Sequence, residues 1–276
     1  MISKILFCLF FVFVYHFTFH NPAYAEPPKR IISLAPNITE ILFALGLGDS
    51  VAGVTIFCDY PEEAKKKQKI GGMSNPSLEG VVSLKPDIVV MTADGNPKEF
   101  EERLHSLKIR TYIFKALRFS ELPQAIREMG SSFDVKERAD SLASRIETSL
   151  KKLKITGHSQ KKKVLFIIWP EPLIVAGPNT AMDDAITLLG SENIASKAKT
   201  SYPKYSVEEI IRKAPDVIII GKGHENMQEV SATLLKRLKS VPAVKNNRIY
   251  YVSDSLYRLG PRVIEGIEEI ADRLKQ

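Results

Sequence analysis

Two stretches of this sequence share one pattern: SLEGVVSLKPDIVVM at residues 77–91 and SVEEIIRKAPDVIII at residues 206–220. They lie 129 residues apart, and apolar residues match at most of the positions that are not identical. The polar positions that recur are Ser77 and Ser206, Glu79 and Glu208, and Asp87 and Asp216, each aspartate preceded by a proline. A unit repeated at this distance predicts two similar lobes.

Each copy predicts a short helix followed by a buried strand. The serine hydroxyl can accept a hydrogen bond from a free backbone N–H of the first helical turn. The glutamate two residues later meets the positive end of the helix dipole. Proline disfavours helical geometry in the residue before it, so Pro86 and Pro215 are expected to follow the helix ends. The β-branched runs after them are typical of a central parallel strand that is buried on both faces.

The first 25 residues have the order of a secretory signal. Lys4 precedes an apolar run at residues 5–15, and the small-x-small site at residues 23–25 stands before Glu26. We therefore expect cleavage after Ala25 and a mature protein in the periplasm. The alternative is a membrane anchor, but no stretch reaches the roughly 18 apolar residues that a span requires.

A long helix is predicted between the two copies of the repeat. Residues 135–154 contain no proline or glycine, apolar residues recur there at helical spacing, and Asp134 is the expected N-cap. Such a helix reaches about 30 Å, enough to join two lobes, although a surface helix of one lobe is the alternative. We therefore predict an α/β fold of two lobes, each with a central, mostly parallel sheet. The expected segments are a signal peptide at 1–25, an N-terminal α/β lobe at 26–133, a connecting helix at 134–157 and a C-terminal α/β lobe at 158–276.

Composition and motifs give little support to an enzyme or a nucleic-acid-binding protein. The net charge of +7 is spread along the 276 residues rather than gathered in a stripe. The sequence has no G-x-S-x-G, H-E-x-x-H or G-x-x-x-x-G-K-[ST] motif and no histidine spacing suited to zinc. We predict no catalytic residue, no metal site and no resident cofactor. The rival hypothesis is an exported enzyme that uses Cys58 or Asp254 in its chemistry.

Candidate ligand contacts follow from the position of the predicted strands. Ligands of open α/β sheets bind outside the carboxyl ends of the strands. The residues there are mainly aromatic or apolar with a few polar anchors, which suits a broad, mostly apolar ligand held in a cleft. They are Phe57, Asp59, Met73 and Thr92 in the first lobe, and Trp169, Tyr202, Tyr205, Asp254, Tyr257 and Arg258 in the second. The alternative is that each aromatic side chain packs within its own lobe.

Several stretches together resemble the periplasmic binding proteins of the cobalamin and iron–siderophore ABC importers, most closely the cobalamin-binding type. Besides the repeat, they are RIISLAPNITEILFALG at residues 30–46, DYP at 59–61 and SDSLYRLGPR at 253–262. The resemblance covers nearly all of the mature chain. It implies two α/β lobes joined by one long helix, and a binding protein that works as a monomer with an importer permease and its ATPase, without nucleic acid.

The resemblance also implies roles for individual residues. Glu79 and Glu208 are implied to dock on arginines of the permease, one from each lobe. Phe57, Tyr202 and the pair Asp254 and Arg258 are implied to surround a corrinoid such as cobalamin. Met73 and Thr92 stand where a cobalamin binder carries tryptophan. This thinner aromatic set leaves a siderophore, a haem or another cobamide open as the ligand.

Overall fold

The computed structural model describes residues 27–93, 95–156, 161–222 and 226–275. The predicted signal peptide therefore lies outside the described residues. Ten strands and eleven helices are assigned in this part of the chain. The strands are β1 Ile31–Ser33, β2 Val51–Val54, β3 Gln68–Lys69, β4 Ile88–Thr92, β5 Thr111–Phe114, β6 Lys163–Pro170, β7 Leu173–Val175, β8 Glu192–Asn193, β9 Val217–Gly221 and β10 Ile249–Val252. The helices are α1 Pro36–Ala44, α2 Glu62–Lys65, α3 Leu78–Ser83, α4 Lys98–Ser106, α5 Leu122–Ser132, α6 Lys136–Thr156, α7 Ala181–Leu188, α8 Val207–Lys213, α9 Met227–Arg237, α10 Pro242–Lys245 and α11 Val263–Lys275.

The strands form two sheets, one in each lobe. The first has the order β3-β2-β1-β4-β5, and all its pairs are parallel. The second has the order β10-β9-β6-β7, with β8 pairing the start of β6. Only β7 runs antiparallel among the described strands, and it pairs the end of β6. The predicted α/β class with two mostly parallel sheets is confirmed.

The repeat folds as one unit in both lobes. The Ser77 hydroxyl accepts a hydrogen bond from the Gly80 backbone N–H at 3.0 Å, and the Ser206 hydroxyl accepts one from Glu209 at 3.1 Å. The strands that follow, β4 and β9, are buried along their whole length. The predicted caps and interior strands are confirmed, and β4 and β9 occupy matching places beside β1 and β6.

The repeated aspartate fixes the start of the neighbouring strand. The Asp87 carboxylate accepts hydrogen bonds from the backbone N–H groups of Lys29 and Arg30, at 2.8 and 2.9 Å, just before β1. The Asp216 carboxylate accepts one from the N–H of Lys163, the first residue of β6, at 2.8 Å. Each copy of the repeat therefore holds the strand beside it in register.

Both repeat helices end on a residue in the left-handed region. Lys85 and Ala214 occupy equivalent positions and share a φ of 47°. An L-residue there lacks the conformational freedom of glycine and is strained by about 1–2 kcal/mol. Glycine at this position would relieve the strain, but it loses more conformational entropy on folding, which offsets part of the stability gained.

We expect Ala214→Gly to raise the free energy of unfolding by about 0.5–1 kcal/mol, because the strain relieved exceeds the entropy lost. Urea denaturation of both proteins measures the change. Ala232→Gly, inside helix α9, is the control and should lower the same quantity by about 1 kcal/mol. A destabilised Ala214→Gly protein would contradict the strain at this position.

Helix α6 is the long helix predicted between the repeats. Its buried residues Leu142, Ile146 and Leu153 belong to a core cluster that contains residues of both lobes. It packs mainly against α5 and also contacts α11. Arg127 of α5 donates to both oxygens of the Glu147 carboxylate on α6, at 2.6 and 3.0 Å. The single long helix joining the lobes is confirmed.

The start of α6 differs from the prediction. Asp134 is not the N-cap, because its φ of 57° places it in the left-handed turn that ends α5. The Val135 carbonyl instead accepts the first helical hydrogen bond, from Ala139, at 3.1 Å. Helix α5 itself was not predicted. Gly130 permits its packing on α6, since a Cβ atom at Gly130 would lie 2.1 Å from that of Ala139.

In the described residues, no helix combines the length and the apolar character that crossing a membrane requires.

Candidate functional site

Loops from both lobes meet where the predicted polar ligand contacts lie. Arg258 follows β10 in the second lobe, and Asp59 follows β2 in the first. The Arg258 guanidinium donates to both oxygens of the Asp59 carboxylate, with Nη2 and Oδ2 3.2 Å apart. Arg258 also pairs with Asp254 at 2.5 Å. The structure thus brings three of the predicted site residues into one ion-pair network across the two lobes.

Glu40 is the buried member of this network, and its role was not predicted from the sequence. It lies on α1 with no exposed side-chain surface. Its carboxylate accepts hydrogen bonds from Arg262 at 2.7 and 3.0 Å and from Arg258 at 3.3 Å. The Arg262 guanidinium in turn stacks on the Tyr60 ring, 4.2 Å from its centroid. The first lobe is therefore tied to the second by a charge cluster.

The charges in this network stabilise one another. Hydrogen bonding from Arg258 holds the pKa of Asp59 below its usual value. Burial opposes the charge on Arg258, but its hydrogen bond to Asp59 and the nearby carboxylates leave its pKa raised. The hydrogen bond to Glu40 raises the pKa of Arg262. Asp59, Arg258 and Arg262 are therefore charged at neutral pH.

Two predicted aromatic contacts, Phe57 and Tyr202, are exposed, one in each lobe. Phe57 lies in the loop that contains Asp59. Tyr202 lies close enough to Tyr257 to contribute, after burial and Asp254, to the raised pKa of the Tyr257 hydroxyl. Exposed aromatic side chains contributed by both lobes can cover the faces of a broad planar ligand.

Tyr257 forms part of the wall of the second lobe. Its ring packs edge-on against Phe166, with centroids 5.7 Å apart. Its hydroxyl lies against Gly221, where an added Cβ atom would fall 1.0 Å from the hydroxyl oxygen. The Tyr257 side chain can therefore occupy this position only because residue 221 is glycine.

Asn96 organises the rim of the first lobe. Its side-chain amide donates to the Leu34 carbonyl at 3.0 Å and to the Met73 carbonyl at 2.9 Å, and its oxygen accepts from the Thr92 N–H at 2.8 Å. Met73 is thereby held beside the end of β4. Thr92 is buried, and its hydroxyl accepts from the Gly95 N–H at 3.1 Å, so this hydroxyl supports the loop.

Trp169 and Tyr205 lie in a different part of the second lobe from Tyr257. Both pack on the core cluster that contains Leu165 and Ile167, whereas Tyr257 packs on the cluster that contains Phe166. Trp169 donates from its indole nitrogen to the Glu171 carbonyl at 2.6 Å. Lys213 lies over the Tyr205 ring, 5.6 Å from its centroid. Their contact with a ligand remains a prediction.

Cys58 is a buried core residue. Its sulfur lies 3.1 Å from the hydroxyl oxygens of both Thr39 and Thr55, and the residue is 1% exposed. Nucleophilic cysteines are accessible to their substrates, whereas this sulfur is buried. Among the described residues, no group of three or more histidine, cysteine or acidic side chains is arranged to hold a metal ion.

The two predicted docking glutamates lie on exposed surface. Glu79 is in the first turn of α3 and Glu208 in the first turn of α8. A backbone hydrogen bond and the Ser206 hydroxyl lower the pKa of Glu208. Neither residue belongs to the Arg258 network.

Comparison with known proteins gives consistent relationships. Residues 31–256 match the family described as "Periplasmic binding protein". The chain is 30% identical over 255 residues to the "Vitamin B12-binding protein" of Pectobacterium carotovorum subsp. carotovorum (strain PC1), covering 91% of this chain and 90% of that one. The periplasmic heme-binding protein RhuT of Roseiflexus sp. RS-1, in apo form, is similar in structure with a TM-score of 0.82 and 29% identity, over 89% of this chain and 97% of that chain. The periplasmic vitamin B12-binding protein BtuF of Vibrio cholerae gives 0.80 and 25%, over 91% and 98%.

Proposed function

Since this chain belongs to the periplasmic binding protein family, we propose that it is an exported solute-binding protein that captures a corrinoid, cobalamin or a close relative, between its lobes. It then delivers the ligand to an ABC importer made of a permease and its ATPase. The protein acts in the periplasm as a monomer and carries out no chemical step. The single observation that carries this proposal is the Asp59–Arg258 ion pair between the lobes, together with two exposed aromatic side chains, Phe57 in the Asp59 loop and Tyr202 near Tyr257.

A corrinoid suits this arrangement for two reasons. Its ring presents broad apolar faces, which Phe57 and Tyr202 can cover. Its edge carries amide groups, which can hydrogen-bond to the charged side chains of Asp254, Asp59 and Arg258. The relative from Pectobacterium, described as a vitamin B12-binding protein, supports this ligand class.

Haem is the second candidate, favoured by the similarity to RhuT. A haem iron needs an axial ligand from the protein, and tyrosine serves in this role. Tyr60 and Tyr202 are both exposed, one in each lobe. Cobalamin brings a nitrogen ligand for its cobalt within its own structure, so it requires no such side chain.

Calorimetric titration of the mature protein with cyanocobalamin, haem and a ferric siderophore tests the ligand. We expect an equimolar complex with cyanocobalamin. Tyr202→Ala should weaken this complex by about tenfold, because stacking and buried apolar area are lost, whereas Tyr202→Phe should keep its affinity. Tyr60→Phe is the matched control for loss of an exposed tyrosine hydroxyl.

The haem alternative predicts a different pattern. Haem would bind, and Tyr202→Phe or Tyr60→Phe would change the visible absorption spectrum of the complex by removing an axial ligand. Binding of a ferric siderophore with no binding of cyanocobalamin or haem would reject both tetrapyrrole ligands. Conversion of any bound ligand into a product would reject the assignment as a binding protein.

A further inference from the structure

Two exposed aliphatic side chains occupy the same position in the two copies of the repeat. Val82 on α3 is 39% exposed and Ile211 on α8 is 40% exposed. They are separated by 129 residues (211 − 82), which is the spacing of the repeat. No other two of the large hydrophobic side chains exposed in the described part of the chain have this separation.

Each aliphatic residue shares a helix face with a predicted docking glutamate. Val82 follows Glu79 by three residues, and Ile211 follows Glu208 by three residues. Side chains three apart on a helix are neighbours on its surface. Both lobes therefore expose the same small patch, an acidic side chain next to a branched apolar one.

Folding does not explain these apolar side chains. The buried residues of the same helices, Val81 on α3 and Val207 and Ile210 on α8, already pack into the cores of the lobes. Isolated exposed apolar residues are ordinary on a protein surface. Val82 and Ile211, however, lie at equivalent positions of the repeat, and each is next to an exposed carboxylate. This recurrence distinguishes them from isolated exposed residues.

We infer that Val82 and Ile211 are the apolar half of two docking patches, each of which contacts an importer permease through one aliphatic and one acidic side chain. This inference deepens the proposed function and depends on it, since it takes the glutamates as the docking residues. The partner surface must present, twice, a cationic side chain next to an apolar recess. The aliphatic contact supplies buried area in the centre of each patch, where binding energy concentrates. The charge supplies orientation.

Photo-crosslinking in the cells that produce the protein tests the contact without knowledge of the ligand. The full chain carries p-benzoylphenylalanine at position 82, 211, 79 or 208, and at the control positions 107 and 230. Leu107 and Val230 are similarly exposed, at 50% and 44%, but lie elsewhere on the surface. We expect positions 82 and 211 to crosslink to one membrane protein with an ABC permease sequence, identified by mass spectrometry, and the controls to give no such product.

Affinity for that permease, purified with its ATPase in nanodiscs, gives the energetic test. Val82→Ser with Ile211→Ser should weaken binding by about tenfold through lost apolar burial. Leu107→Ser with Val230→Ser should leave affinity unchanged. Both pairs replace exposed side chains, so little change in folding is expected, which a thermal unfolding measurement checks.

The possible failures are distinguishable. Crosslinks from positions 79 and 208 but not from 82 and 211 would overturn the aliphatic contact and leave the docking glutamates in place. Wild-type affinity of the Val82→Ser, Ile211→Ser protein would do the same. A permease crosslink from none of the four positions would overturn the docking role of these helices altogether. Crosslinks only to a second copy of this chain would assign the patches to self-association and reject the inference.

Discussion

Replacing Glu40 with alanine is expected to lower the free energy of unfolding by about 3–5 kcal/mol, the usual cost of removing one partner from a buried ion pair. The Glu40 side chain has no exposed surface and receives hydrogen bonds from Arg258 and Arg262. The side chains of those arginines are only 12% and 19% exposed. They would therefore remain largely desolvated after losing a carboxylate that neutralises them.

The matched control is Asp59→Ala, since Asp59 pairs with the same arginine but is 56% exposed. An exposed ion pair contributes little, so this change should cost at most about 1 kcal/mol. Urea denaturation of the ligand-free proteins, with equal slopes of free energy against urea concentration, measures both values. Similar losses for the two variants would show that burial of Glu40 does not set its contribution.

A double-mutant cycle separates the pair from the cavity that alanine leaves. If Glu40 acts through Arg262, the combined Glu40→Ala and Arg262→Ala protein should be more stable than the sum of the two single losses predicts. Additive losses would assign the effect of Glu40 to packing alone.

The local features of the fold could be predicted because their causes lie close together in the sequence. The caps Ser77 and Ser206 act on N–H groups three residues away, and the strands after them are marked by continuous β-branched residues. The repeat then predicted two lobes, since one hydrophobic pattern occurring twice needs two cores. Helix α6 was predicted from its uninterrupted helical spacing.

The features that were missed depend on distant partners. Glu40 lies in an apolar helix, where its charge alone would place it on the solvent side. Its burial depends on two arginines that are 218 and 222 residues away. Helix α5 was missed because Gly130 and two serines near its end lower its helix propensity, and contact with α6 outweighs that cost. Asp134 was predicted to be the N-cap of α6 because α5, which ends just before it, was not predicted.

The candidate site was predictable in composition but only partly in arrangement. Asp59, Asp254 and Arg258 were chosen separately, and the structure brings them together across the lobes. Trp169 was chosen because it ends a strand. Strand alternation places it on the same face as Leu165 and Ile167 rather than with Phe166 and Tyr257. The sequence alone did not indicate which face of the second sheet meets the other lobe.

Reversing both predicted docking charges, Glu79→Arg with Glu208→Arg, is expected to abolish ligand uptake in cells. Charge-assisted pairs with arginines of the permease would become repulsive in both lobes. Two contacts on one rigid body reinforce each other, because the second forms at a high effective concentration, and so their joint loss exceeds either single loss. Uptake of the ligand that titration identifies measures the effect.

Ligand affinity and folding should survive the same change, since both glutamates are exposed and lie outside the Arg258 network. A favourable charge at a helix start contributes only about 0.3–1 kcal/mol. The matched control is Glu99→Arg with Glu229→Arg, which reverses exposed charges in the first turns of α4 and α9, one helix in each lobe. It makes the same change in net charge but lies outside the docking helices α3 and α8. Uptake should therefore remain intact. Normal uptake by the Glu79→Arg, Glu208→Arg protein would reject the docking role, and loss of its ligand affinity in solution would place these glutamates in the binding site instead.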